Sequence, residues 1–217
     1  MKKNYIISFP CSGNHLTRFF VELLTECPTS GTSNKKDIEL YKNHYSEEIP
    51  FNIKEDDKEY LFYKDHSPVP YDILNKLIFI VRNPKEVLVK NSFYEYNHNY
   101  YESYFKLIDF YNKYYGPKII FYYEDILCNK EMFIRNLYSF VGSIKQNKLE
   151  YCLSNANKLY ELSQTATNRA WGGNNSFGNL NLYWDKASES LQNKINIFLN
   201  EKKRTNKYNE LFDFYKL

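Results

Sequence analysis

The chain has 217 residues, a length at which folding buries roughly 70% of the unfolded surface and one domain can build a full core without staples. Hydrophobic residues at 43% and charged residues at 25% are ordinary globular values that exclude wholesale disorder and a coiled coil. A formal net charge of +3 from 29 basic and 26 acidic side chains lacks the basic excess of a dedicated nucleic-acid binder, and no apolar stretch approaches the ~18–20 residues of a membrane span.

Along the chain, Tyr5-Ile6-Ile7-Ser8-Phe9 reads as a buried strand and Pro10-Cys11-Ser12-Gly13 as a turn. The basic, then apolar start ends too soon for a signal peptide, so a cytoplasmic protein is expected, or one whose targeting segment lies outside this chain. Leu16, Phe19, Phe20, Leu23 and Leu24 then recur at helical spacing. Residues 28–58 are polar and turn-rich and read as an irregular insertion. Tyr60–Lys64 is a second strand, and Leu77–Arg82 a third, continuous and apolar as a central parallel strand should be. Asn83 caps a helix with Pro84 at its first position and Glu86 three residues after the cap, the pattern of a capping box. A Tyr-rich helix spans about 92–115, followed by a strand at Lys118–Tyr123 and a helix capped by Asn129 and closed by Gly142. Further helices are expected near 146–163, 188–203 and 206–215, with a Gly/Asn-rich loop over 164–184.

Strands alternating with helices predict an α/β fold: one domain over 1–217, three layers, a central parallel sheet flanked by helices. The four cysteines, Cys11, Cys27, Cys128 and Cys152, have no CxxC spacing and are read as reduced thiols. No His/Cys/Asp cluster has metal-ligand spacing. Arginine occurs only five times, at 18, 82, 135, 169 and 204. In a lysine-rich chain each is a candidate for a position needing the planar fork.

The first strand, turn and helix form the geometry of an anion site, because a helix start offers unpaired N–H groups and the positive end of its dipole. Gly13 permits close backbone approach, and Ser12, Asn14 and His15 add donors. The sequence lacks the GxxxxGK[ST] run of an ATP-hydrolysing P-loop.

Three segments in order resemble sulfotransferases that use 3′-phosphoadenosine-5′-phosphosulfate (PAPS). Ser8-Phe9-Pro10-Cys11-Ser12-Gly13-Asn14-His15 is similar to the family's loop for the 5′-phosphosulfate. Ile80-Val81-Arg82-Asn83-Pro84-Lys85-Glu86-Val87 is similar to the segment whose arginine binds the 3′-phosphate. Tyr123-Glu124-Asp125-Ile126, with the helix ending Phe140-Val141-Gly142, is similar to its third motif. The resemblance implies a P-loop NTPase-like sulfotransferase fold, PAPS as sulfonate donor, and a cofactor site of Cys11, Ser12, Gly13, Asn14, His15, Arg82, Lys90 and Arg169. Lys90 stands where many members carry a phosphate-binding serine. Arg169, in Asn168-Arg169-Ala170-Trp171-Gly172-Gly173, stands for the family's closing segment. Lys64-Asp65-His66-Ser67-Pro68 is similar to the Lys-x-His-x-Pro segment of the cytosolic branch, which makes His66 the catalytic base and Lys64 its catalytic neighbour. Asp65 is the second candidate base. Cys11 departs from the family's usual Lys or Arg, with Arg18 or Lys64 as replacement cations.

The resulting expectation is sulfonate transfer from PAPS to a hydroxyl of a small-molecule or glycan acceptor. A carbohydrate comes first, because the Tyr- and Asn-rich segments suit sugar. The alternatives are a small-metabolite kinase and a catalytically inactive nucleotide-binding relative, the latter favoured by Cys11. A Tyr-rich protein stacking single-stranded nucleic acid is disfavoured by the modest charge.

Overall fold

Short apolar runs alternating with amphipathic stretches give, in the computed structural model of this chain, a sheet wrapped on both faces by helices. The described residues are 2–30, 60–91, 95–142, 146–171 and 183–217, with backbone alone for Asn91 and 166–171. Four parallel strands, β1 (Lys3–Ser8), β2 (Tyr63–Asp65), β3 (Leu74–Val81) and β4 (Lys118–Tyr122), lie in the order β2-β1-β3-β4. Tyr5 pairs with Tyr63 on one side and Leu77 on the other, and Leu77 in turn with Lys118.

The period-2 alternation of strand side chains sorts the core into two layers. Ile6, Ile78, Ile80 and Phe121 face one way, against α1 (Asn14–Thr25), α5 (Lys130–Val141), α6 (Gln146–Ser154) and α7 (Ala156–Trp171). Tyr5, Ile7, Leu77, Phe79 and Val81 face the other way, against α2 (Pro84–Asn91), α3 (His98–Lys113), α8 (Glu189–Arg204) and α9 (Asn209–Tyr215). A short helix α4 (Tyr123–Cys128) leads from β4 into α5. The three-layer expectation holds.

Four local expectations are corrected. The second strand is shorter and shifted to Tyr63–Asp65, with Phe62 instead bridging to Thr29. Tyr123 opens α4 rather than ending the strand, with Glu124 and Asp125 in the first turn, where the helix dipole favours acid. The stretch near 146–163 is two helices, because the Asn155 side chain donates to the Tyr151 carbonyl at 2.9 Å while its own carbonyl accepts from Leu159 N at 2.9 Å. Finally, α7 runs on to Trp171. Residues 164–171 hold no helix breaker, and the first glycines are Gly172-Gly173. The insertion at 31–58 and the loop at 172–182 lie outside the described residues.

Candidate nucleotide-binding site

Because all four strands are parallel, their carboxyl ends share one edge of the sheet. The order β2-β1-β3-β4 reverses direction between β1 and β3. Open α/β sheets bind ligands at such a switch point. The residues singled out in the sequence leave the strands along this edge: the first loop after β1, His66 after β2, Arg82 after β3 and Tyr123 after β4.

In the first loop Ser12 N donates to the Phe9 carbonyl at 3.2 Å. Cys11 (φ 64°) and Gly13 (φ 98°) both take left-handed backbone conformations that swing the chain into α1. Gly13 is the N-cap residue and no side chain caps the helix, so the first-turn N–H groups stay available to an anion. A Cβ on Gly13 would lie 2.6 Å from Tyr123 Cδ2. Glycine is therefore required both by φ and by the ring against it. Asn14, buried, donates from Nδ2 to Ser8 Oγ at 3.1 Å. Ser12 Oγ, Asn14 Oδ1, Thr17 Oγ1 and Arg82 Nε are buried with no partner among the described residues. Interiors pair nearly all such atoms, and these orphans belong to the first loop, the first turn of α1 and the arginine bonded to that loop.

Arg82, 8% exposed, donates from Nη1 to the Cys11 carbonyl at 3.1 Å and stands 3.5 Å from Glu86 Oε2 through Nη2. Its guanidinium lies 4.7 Å from the centre of the Tyr123 ring and 5.9 Å from that of Tyr183. Its carbonyl accepts from the buried Tyr104 hydroxyl at 2.8 Å. The third motif thereby acquires physical content. Tyr123 fills the space between Gly13 and Arg82. Glu124 accepts from Asn83 N at 3.0 Å and from the Tyr215 hydroxyl at 2.8 Å.

The capping box expected within α2 is not what forms. Asn83 does cap, accepting from Lys85 N at 3.0 Å, but Glu124 takes the cap residue's own N–H. Glu86 instead accepts from Tyr183 N at 3.2 Å and Trp184 N at 2.8 Å. Burial raises the Glu86 pKa, opposed by those two N–H groups and by Arg82. Tertiary contact outcompetes the local box because the second carboxylate, Glu124, arrives from the first turn of α4.

Lys90 closes the α2 stripe, with Nζ 4.7 Å from the Tyr183 ring centre. Burial works against its charge, yet Cys11 and a hydrogen bond with the Tyr183 side chain hold its pKa above the usual lysine value. Tyr100, packed on Phe9 with ring centres 4.8 Å apart, is pushed up to about 12 by burial and by Cys11. Cys11 itself is exposed.

His66 lies across β1 from this stripe, following β2. Its Nδ1 is 2.7 Å from the Ser8 carbonyl. A carbonyl only accepts, so Nδ1 carries the hydrogen and Nε2 is the basic nitrogen. Burial lowers its pKa, the Ser8 bond partly opposes this, and Lys64 and Arg18 lower it further. His15 is lowered well below the ordinary range by burial, then by Arg18, Lys64 and His66, so the two imidazoles and Lys64 share one electrostatic neighbourhood. Asp65 Oδ1 accepts from His66 N at 2.7 Å and Ser67 N at 2.9 Å, a turn-making role at the strand end. Arg18, one of the two expected replacement cations, is engaged within the fold. It is fully buried, donates from Nε to Thr29 Oγ1 at 2.8 Å and pairs with Glu22 at 4.0 Å. It fastens the 28–30 segment to α1, where Thr29 also bonds Glu22.

Arg169 lies in the last turn of α7 and its side chain is outside the described residues. His98 is exposed, 3.7 Å from Glu102, and His44 is outside the described residues. The sequence reading missed Tyr183 and Trp184 and gave Glu86 a different partner. The available signals were the spacing Arg82–Glu86–Lys90, which shares one face, and an aromatic pair just beyond a Gly/Asn-rich stretch. Surface clefts of about 610 Å³ by Asn129, Lys130 and Asn155 and about 520 Å³ by Tyr71 and Tyr115 are lined by none of these residues. No described helix is long and apolar enough to cross a membrane.

No family model matches the sequence, and no curated protein does. Solved structures do. The chain is similar to mouse sulfotransferase SULT7A1 complexed with PAP, at 14% identity and a TM-score of 0.56, over 99% of this chain and 88% of that one. It is likewise similar to retinol dehydratase in complex with androsterone and inactive cofactor PAP, at 14% identity and a TM-score of 0.55, over 93% and 81%. Retinol dehydratase in a complex with retinol and PAP aligns at a TM-score of 0.54. At 14% identity the likeness is one of fold, and the chain, with its parallel central sheet flanked by helices, has the P-loop-like fold of these sulfotransferase structures.

Proposed function

We propose that the protein is a sulfotransferase that moves the sulfonate group of PAPS to a hydroxyl of an acceptor, with a carbohydrate as the first acceptor to test. The observation that carries the reading is the gathering of unpartnered buried polar atoms, at Ser12, Asn14, Thr17 and Arg82, around an uncapped helix start at the switch point of the sheet. The donors among them, Ser12 Oγ, Thr17 Oγ1 and Arg82 Nε, together with the open first-turn N–H groups, fit a nucleotide charged at two separated places. PAPS, when bound, supplies an activated sulfonate on a phosphate leaving group.

Residues Cys11 to His15, Asn14 and His15 included, contribute backbone N–H groups, the helix dipole and the Ser12 hydroxyl to the 5′ end, while the Asn14 amide is spent on Ser8. Arg82 and Lys90 receive the 3′-phosphate as a fork and a point charge. Arg169 is assigned to a phosphate of the nucleotide by the resemblance of its segment to the family's closing one. His66 takes the acceptor's proton at Nε2 while Nδ1–H stays on the Ser8 carbonyl. The new oxygen–sulfur bond forms as the bond to the bridging phosphate oxygen breaks. With its pKa lowered, His66 is neutral and able to accept a proton at pH 7. Lys64, whose charge acts on both His66 and His15, is the cation for the developing charge on the leaving oxygen. Cys11 at the usual cation position favours one second reading, a relative that binds the nucleotide without turnover.

Calorimetry with adenosine 3′,5′-bisphosphate (PAP) and ATP tests the proposal, with PAP expected to bind the more tightly. Arg82→Ala is expected to weaken PAP by ~1.5–3 kcal/mol, the range of a charge-assisted hydrogen bond, and to leave adenosine 5′-phosphosulfate nearly unchanged. Preference for ATP, or equal losses for both adenosine ligands, removes the assignment. Turnover of PAPS in an acceptor screen separates the enzyme from the inactive binder.

A further inference from the structure

Two cations converge on one phenol at the edge of this site. The Arg82 guanidinium is 5.9 Å and Lys90 Nζ 4.7 Å from the Tyr183 ring centre. Lysine has donors only, so in its hydrogen bond with Tyr183 the phenol oxygen accepts. Both cations stand over the ring, and the phenol keeps its O–H proton to donate elsewhere.

The ring is held in place from two helices. Glu86 on α2 takes the N–H groups of Tyr183 and Trp184, at 3.2 and 2.8 Å. Gln192 on α8 donates to the Trp184 carbonyl at 2.8 Å. Lys85 Nζ lies 4.9 Å from the Trp184 ring. The segment therefore crosses the α2 face with its backbone fixed, and Tyr183 reaches the two cations from a rigid base. Arg82 Nε, on the same guanidinium, is buried with no partner among the described residues.

The charges around the ring favour an anion. Arg82 and Lys90 are cationic. Among the described residues Glu86 and Asp185 are the nearby carboxylates, and the oxygens of Glu86 are already engaged by Arg82 and by two backbone N–H groups. A phosphate monoester seated here completes the set with charge-assisted bonds.

We propose that Tyr183 is a phosphate-binding residue: its O–H, on a ring whose backbone Glu86 and Gln192 hold beside Arg82 and Lys90, donates to the 3′-phosphate and makes the site select nucleotides that carry one. The proposal rests on the nucleotide reading above. It adds a recognition residue from a segment that the sequence motifs did not reach.

The test compares PAP with adenosine 5′-monophosphate, which lacks the 3′-phosphate, by calorimetry on the full chain. Tyr183→Phe removes one oxygen and keeps the ring, and circular dichroism verifies the fold. PAP is expected to weaken about ten- to hundredfold in Tyr183→Phe, as for loss of a hydrogen bond to a charged group, with the monophosphate unchanged within about twofold. Lys90→Met is expected to give the same selective loss from the other partner. Unchanged PAP affinity in Tyr183→Phe, or equal weakening of both nucleotides, overturns the assignment while leaving the nucleotide site standing. Failure of the wild-type chain to bind either nucleotide removes both.

Discussion

Gly13→Ala puts the most strain on the geometry that builds the site. The substitution meets two obstacles. At φ 98° an alanine leaves the region open to L residues, at a cost of ~1–2 kcal/mol. Its Cβ would also stand 2.6 Å from Tyr123 Cδ2 and 3.1 Å from Cε2. That ring has little room to retreat: Tyr123 is buried, its ring centre lies 4.7 Å from the Arg82 guanidinium, and its side chain is hydrogen-bonded to Tyr160. Overpacking of this kind costs ~1–3 kcal/mol. The expected loss is about 2–5 kcal/mol, a large share of the ~5–15 kcal/mol of a typical domain. Urea denaturation measures it from the midpoint at constant slope. Tyr123→Leu in the Gly13→Ala background should recover the steric share and leave the φ share, giving a favourable coupling of about 1–3 kcal/mol in a double-mutant cycle. A single variant within about 0.5 kcal/mol of wild type, or strictly additive effects, would show that the ring does not hold the loop.

Two further outcomes follow from the same edge of the sheet. His66→Ala is expected to lower kcat by ~10²–10⁴, the usual share of a general base, with PAP affinity little changed. Because burial lowers the His66 pKa, the acid limb of the wild-type rate should lie below the ordinary imidazole value of ~6.5. A limb at or above that value, or collapse in Asp65→Asn with normal rates in His66→Ala, removes His66 as the base. The same depression has a stability consequence. The unfolded chain protonates first as pH falls, so stability present above ~6.5 is lost toward the lower folded-state pKa, with His15 adding to the effect. Glu124→Ala strands the Asn83 N–H and the Tyr215 hydroxyl and should cost about 2–4 kcal/mol in urea denaturation. A loss under ~0.5 kcal/mol, no more than an ordinary surface change, would mean that α2 and α9 do not depend on that carboxylate.

Periodicity alone determined a good deal. The i, i+3, i+4 spacing of Leu16, Phe19, Phe20, Leu23 and Leu24 and the apolar run Leu77–Val81 dictated a helix and a central strand, and their alternation dictated a layered parallel sheet, because burial follows pattern wherever one face of an element must leave water. Asn129 and Gly142 marked the ends of α5 by purely local chemistry, a side chain accepting from Met132 N and a residue at φ 76°. Local signals failed where a partner came from far along the chain. Glu86 sits three residues past a cap and still abandons the box, because Glu124 arrives to take that N–H and Tyr183 and Trp184 arrive to take Glu86. Arg18 is a different case, since its partners Glu22 and Thr29 are near in sequence and it is the fold that buries all three. Tyr183 carried no motif at all. Its place beside Arg82 and Lys90 exists only after residues about a hundred positions apart are brought onto one face of α2. A sequence pattern reports what each segment needs to bury. Which donor meets which acceptor is decided by the tertiary structure, since hydrogen bonds are short and the chain between their partners is long.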